Sequence, residues 1–271
     1  MLNLLKVDFK RVLRDKLFMI VCFIGLGFAL FTPLLYKSLF SSLGIEEAID
    51  ILFSAKGILF NCFSLTNNFG LILPIFISII LLKDFSNGTI RNKIINGHKR
   101  SNIFLSTFIV CSTVFCGLIL AYGLISFFFA LILGFNYADN ISFGNDIGYF
   151  FLSLLFICLI YIFISALISW LTVSTKSVGL TIVLYFVITI IMTILLTILQ
   201  VFGSLDLVSK SSTKVIKFIL DTNPFYLVSN VIGKKTSYNL SQVVKIVLPT
   251  LLATFSLVLF GISAIRKKDI K

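Results

Sequence analysis

The sequence predicts an all-α integral membrane protein. It has six transmembrane helices, an N-terminal amphipathic interfacial helix, and a re-entrant or interfacial helix pair before the last span. Three observations predict this. Of 271 residues, 58% are hydrophobic and only 13% charged, whereas a soluble domain carries about a quarter charged residues. Mean hydropathy is +1.08. The apolar runs reach the roughly 20 residues that a helix needs to cross a hydrocarbon core about 30 Å thick. They lack the short alternating segments of an outer-membrane barrel.

The first element is the interfacial helix over 1–16. Leu2, Leu5, Phe9, Val12, Leu13 and Leu17 recur at three- and four-residue spacings, and Lys6, Lys10, Arg11 and Arg14 fall mostly on the other face. Such a basic amphipathic helix suits the membrane surface. The apolar run after it is span length and has no small-residue cleavage site, so it reads as a retained anchor. Spans are expected over about 17–36, 65–83, 103–134, 148–172, 178–203 and 244–265. The third is longer than one crossing requires and must tilt, kink or extend beyond the bilayer.

Basic loops set the expected orientation. All five arginines lie in the N-terminal helix, the second connection or the tail, with Lys83, Lys93, Lys99 and Lys176 in segments on the same side. Those segments are expected in the cytoplasm, with both termini, in a multi-pass protein of the plasma membrane. Glu46, Glu47 and Asp50 in the first connection and Asp139 and Asp146 in the third are expected outside. Residues 204–243 dissent. They are extracellular on this scheme, yet they carry Lys210, Lys214, Lys217, Lys234 and Lys235. Within them "VIKFILDTNPFYLVSNVIG" is too short to cross, and Asn223-Pro224 breaks it into the helix pair.

What the spans lack excludes several functions. They hold almost no ionisable residue away from their ends, whereas ion-coupled transporters and intramembrane enzymes need such groups. No catalytic triad or carboxylate pair can be drawn, and His98 reads as a solvated loop residue. "GKKT" at Gly233 lacks the upstream glycine and the Lys-Ser/Thr ending of a phosphate-cradling loop. The chain is therefore read as no enzyme, binding no cofactor and no metal of its own. Its five cysteines read as packing residues. The net charge of +12 reports topology and contact with anionic lipid rather than nucleic acid.

Two features remain. Thr181, Tyr185, Thr189, Thr193 and Thr197 recur every four residues along the fifth span. Their hydroxyls either bond the preceding turn and pack helices, or line a substrate route. The other feature is the cytoplasmic loop over 84–102, a polar island between apolar runs. Asn87-Gly88 ends the second span, Thr89 caps a short basic helix "TIRNKII", and Asn96-Gly97 stops it. A short helix so bracketed is either a docking element or a loop that only fixes topology.

"DFSNGTIRN" followed by "GHKR" resembles the acidic-x-x-x-Gly-Thr … Arg pattern between the second and third spans of type-2 ABC exporter permeases. The N-terminal helix, six spans, Pro-containing outer segment and ending "RKKDIK" fit the same architecture. Asp84 stands where Glu is commoner, and Ser106-Thr107 where that family often has Lys. The resemblance implies a permease subunit of an ATP-driven exporter. A second, identical or paralogous, permease chain would complete the pathway, with a separate ABC ATPase subunit, two copies in all, carrying ATP and Mg. Asp84, Gly88, Thr89, Arg91, Asn92, Lys93 and Arg100 would then form the ATPase-coupling segment. The implied substrates are amphipathic peptides, peptide antibiotics, lipids or drugs. The alternative from another class is a non-transporting membrane sensor or immunity protein that binds a peptide.

Overall fold

The computed structural model describes residues 2–42, 54–65, 67–86, 89–137, 143–204, 210–230, 232 and 238–267. Among them there is no strand. Five helices are long and apolar enough to cross a membrane, and the segment Phe69–Lys83 is a shorter apolar helix. The chain is therefore a multi-pass helical membrane protein.

Eleven helices are present among the described residues. They are α1 (Leu2–Arg14), α2 (Lys16–Ser42), α3 (Ala55–Cys62), α4 (Asn68–Ser86), α5 (Thr89–Ile95) and α6 (Arg100–Ile132), followed by α7 (Phe143–Thr175), α8 (Val178–Ser204), α9 (Lys210–Thr222), α10 (Pro224–Asn230) and α11 (Leu240–Lys267). At 33 residues each, α6 and α7 are about 50 Å long. They are longer than the roughly 20 residues that one crossing of a core about 30 Å thick requires. By contrast α4, at 19 residues, spans about 28 Å. The run expected as the second span therefore falls short of the other five.

The core forms where α6 and α7 meet. In the most apolar window of each, 61% of residues are buried, against 17% in α8 and 11% in α11. Ile157, Ile160, Tyr161, Ile164 and Ile168 are fully enclosed along one side of α7, at the three- and four-residue spacing of a helix stripe. Helix α11 packs along α7, and α2 and α3 pack along α6. The outer faces of α2, α8 and α11 carry exposed Leu, Ile and Phe, as lipid-facing helices do.

Polar side chains inside the spans are mostly satisfied within their own helix. Ser78, Thr172 and Thr250 each donate to the carbonyl four residues earlier at 2.6–2.8 Å, which pairs these hydroxyls where no water can. Three of the apolar helices contain proline, at Pro33, Pro74 and Pro249.

Side-chain contacts separate two ends. At one, Lys83 near the end of α4 meets Asp15 before α2, and Arg100 at the start of α6 meets Arg266 near the end of α11. At the other, Lys37 late in α2 donates to the Leu133 carbonyl past α6 at 2.7 Å. We call these the basic end and the far end.

Helix α3 was not anticipated; the sequence suggests only an acidic outer loop there. It starts at the far end, where the Ala55 and Lys56 amides donate to the Asn136 and Tyr137 carbonyls at 2.8 and 3.0 Å. It then runs inward against α6. Its last turn brings the Phe63 carbonyl to Tyr161 Oη of α7 at 2.8 Å, so a freed backbone acceptor is paired inside the bundle. Gly123 permits the approach. A Cβ there would stand 2.5 Å from the Phe63 ring, closer than any real contact. The break before α4 is held by Asn67, whose Nδ2 donates to the Asn61 carbonyl at 2.9 Å.

In the region expected to hold a helix pair, α9 gives way to α10 across Asn223. The Asn223 side chain accepts from the Phe225 amide at 3.0 Å, and Pro224 is the first residue of α10. An Asn cap followed by Pro at the first helical position is favourable for a helix start. Helix α9 packs on α8 and α11 and leaves Val215, Phe218 and Ile219 exposed beside Lys214 and Lys217. Glu46, Glu47, Asp50, Asp139, Lys234 and Lys235 lie outside the described residues.

Candidate functional site: the polar cluster at the basic end

The cluster begins with one acid on a basic helix. Leu4, Asp8 and Val12 of α1 are buried at 6%, 1% and 3% exposure. Spaced by four, they form one seam, and that seam faces α6. Of the apolar face predicted to lie in the membrane surface, Val12 turns into the protein, Leu5 is half-buried, and Phe9 and Leu13 are exposed.

A buried carboxylate is costly unless paired, and Asp8 is paired by two other helices. Lys93 Nζ of α5 donates to its Oδ1 at 2.7 Å, and Ser106 Oγ of α6 donates to its Oδ2 at 2.8 Å. Arg11 stands 3.7 Å from the same carboxylate. Lys93 is itself buried. One carboxylate thus joins the N-terminal helix, the short connecting helix and the long span.

A second tie lies beside it. Asp15, between α1 and α2, accepts from Lys83 Nζ at 3.0 and 2.8 Å and caps α2 by accepting from the Leu17 amide at 3.0 Å. Burial alone would raise its pKa. The Lys83 hydrogen bond, the Leu17 amide and the charges of Lys83 and Arg11 outweigh that and hold the carboxyl below its ordinary value. A third contact joins the ends of α6 and α11. Arg266 donates to Ser101 Oγ at 3.0 and 3.1 Å, and Arg100 donates to the Arg266 carbonyl at 3.2 Å.

Helix α5 ends as the Asn96-Gly97 pair suggested. Gly97 has φ +83°, the left-handed conformation that glycine adopts freely. Its amide donates to the Ile94 carbonyl and that of His98 to the Lys93 carbonyl, at 2.9 and 3.1 Å, which is the Schellman arrangement. On α5, Thr89 is half-buried and Arg91 and Asn92 are exposed, while Ile90 is buried beside Leu4 and Ile103. The helix is anchored by Ile90 and Lys93 and presents Arg91 and Asn92 outward. Gly88 and the side chain of Asp84 lie outside the described residues.

Of the N-terminal cations, Lys6, Lys10 and Arg14 are exposed and Arg11 half-buried. The threonine stripe does not join the cluster. Thr189, Thr193 and Thr197 each donate to the carbonyl four residues back, at 2.7–2.9 Å. Thr181 bonds the Ser177 carbonyl and the Thr175 hydroxyl. Thr181, Tyr185 and Thr189 are buried, and Thr193 and Thr197 exposed.

Sequence reasoning missed Asp8, Asp15 and Ser106. The signal was present: Asp8 sits four residues from both Leu4 and Val12, an acid in register with apolar residues. A second buried ion pair was also missed, at the far end. Lys56 of α3 and Tyr137 both donate to Asp146 Oδ2 at the start of α7, the tyrosine at 2.7 Å. Asp146 Oδ1 has no hydrogen-bond partner among the described residues.

The fold and this cluster define a multi-pass helical membrane protein whose surface and connecting helices are locked to its spans by buried charge. Compared with known proteins, the chain matches no family model and no curated protein.

Proposed function

We propose that this chain is the membrane-spanning permease subunit of an ATP-driven exporter. In this reading α5 is the element on which a separate ATPase subunit docks. The observation that carries it is the anchoring of α5: Lys93 is buried on Asp8 and thereby tied to α1 and α6, while Arg91 and Asn92 on the same helix face outward. A helix that only linked two spans would need neither the buried lysine nor a stop at each end. Force applied to Arg91 and Asn92 would pass through Asp8 into α6 as a rigid-body displacement.

The remaining parts of the proposal follow. Helix α4 makes the second of six crossings, so that α1, α5 and the end of α11 share the cytoplasmic face. The surplus of Lys and Arg there supports that orientation. ATP and Mg bind the partner. Two permease chains form the pathway, with the Thr181–Thr197 stripe of α8 near it. The substrate is an amphipathic peptide, peptide antibiotic, lipid or drug. The scarcity of Asp, Glu, Lys, Arg and His away from the ends of the spans agrees with energy supplied from outside the chain.

The test is purification of the tagged full chain from its native membrane in mild detergent. A stoichiometric ATPase is expected, released by Arg91→Glu while the chain stays inserted. Recovery without any ATPase, from cells that retain peptide binding, would favour the sensor or immunity reading instead.

A further inference from the structure

We propose that the groove between α1 and α6 binds an anionic phospholipid, one acyl chain lying in the groove and the phosphate between Lys6 and Lys10. The inference goes beyond transport and requires only that the chain sits in a bilayer. The groove has a volume of about 500 Å³, within the roughly 300–1,000 Å³ typical of ligand sites. Leu5, Phe9 and Leu13 form one wall, and Ile109 and Val110 of α6 the other. Thr113 closes it, its hydroxyl turned to the Ile109 carbonyl at 2.8 Å, so that the lining offers a ligand almost nothing polar.

The rotation of α1 creates this space. Because the helix spends its Leu4–Asp8–Val12 seam on the protein, its second apolar stripe stands against α6 with a gap, and Phe9 and Leu13 remain 38% and 39% exposed. Water is a poor filling for such a gap, and a hydrocarbon chain a good one. Ile109 lies about 14 Å from the start of α6, and in a 33-residue helix that position suits the depth where headgroups meet acyl chains.

Charge complementarity fixes the headgroup. Lys6 and Lys10 border the groove and are one turn apart, so their charges repel. Neither has a side-chain partner among the described residues, and the two described acids nearest them in the chain are engaged elsewhere, Asp8 by Lys93 and Asp15 by Lys83. A phosphate at the groove mouth would face both. A free phosphate would leave the apolar walls empty, and a zwitterionic lipid would carry its own cation to the lysines. An anionic phospholipid satisfies walls and lysines together.

The test uses the full chain in nanodiscs of equal phosphatidylglycerol and phosphatidylcholine, with bound lipid counted by native mass spectrometry. The unaltered chain should retain one phosphatidylglycerol in preference to phosphatidylcholine. Lys6→Gln with Lys10→Gln should reduce that preference roughly 5-fold per lysine. Ile109→Trp should displace lipid of either headgroup, and Lys214→Gln with Lys217→Gln should change nothing. Equal retention of the two lipids by the unaltered chain would overturn the proposal. So would a preference that survives removal of both lysines, or a groove covered by a second copy of the chain.

Discussion

The two ends of this protein each bury an ion pair, but they use it differently. At the far end Lys56 and Asp146 join α3 to the start of α7, with Tyr137 donating to the same oxygen. At the basic end Asp8 and Lys93 join two helices that do not span, α1 and α5, and add the spanning α6 through Ser106. Both pairs are enclosed to a few per cent exposure. Their surroundings differ: α3 is itself buried on most of its residues, whereas α5 keeps Arg91 and Asn92 in the open. The far-end pair therefore closes an internal seam, and the basic-end pair fixes an exposed surface to the core.

The comparison breaks most sharply when one partner is removed. Asp146→Ala strands Lys56, and Asp8→Ala strands Lys93; each should cost about 3–5 kcal/mol of stability, read as lost melting temperature in detergent. Replacing both partners by apolar residues should separate the ends. Lys56→Met with Asp146→Leu is expected to recover most stability and to leave the proposed association with an ATPase intact. Asp8→Leu with Lys93→Met is expected to recover stability but to loosen that association, because Ser106 loses its acceptor and α5 its anchor. Equal behaviour of the two double variants would erase the distinction drawn between the ends.

A smaller effect tests the far end alone. Gly123→Val places methyl groups where the Phe63 ring lies and should destabilise by about 1–3 kcal/mol. Protection of α3 amides in hydrogen exchange should fall before that of α11.

The smallest is a pH effect at the basic end. The Asp15 carboxyl is held below its ordinary value of about 3.9. Its tie to Lys83 is therefore complete above that value and is lost as pH falls through the lower folded-state value. Asp15→Asn should flatten the acid limb of the melting profile, and a profile unchanged by that substitution would count against the tie.

Much of the architecture was legible in the sequence because it rests on local chemistry. The amphipathic α1, the stop at Gly97 and the break at Asn223-Pro224 follow from spacing, capping and proline geometry alone. Helix α3 was not legible. Eight residues of "AKGILFNC" are too few for a periodic signal, and their helix depends on Gly123 and Tyr161, distant in the chain. The same holds for the buried acids. Asp8 on a basic helix looks like an ordinary surface pair until α5 and α6 close over it, and only the fold shows that α1 turns Leu4 and Val12 inward with it.

The most direct test of the central claim is site-specific cross-linking in native membranes. A photoreactive residue at Arg91 of α5, compared with one at Lys217 of α9, probes an exposed position near each end. The account predicts a covalent adduct with a nucleotide-hydrolysing subunit from position 91 and none from position 217. No such adduct from position 91, or an equal yield from both positions, would contradict it.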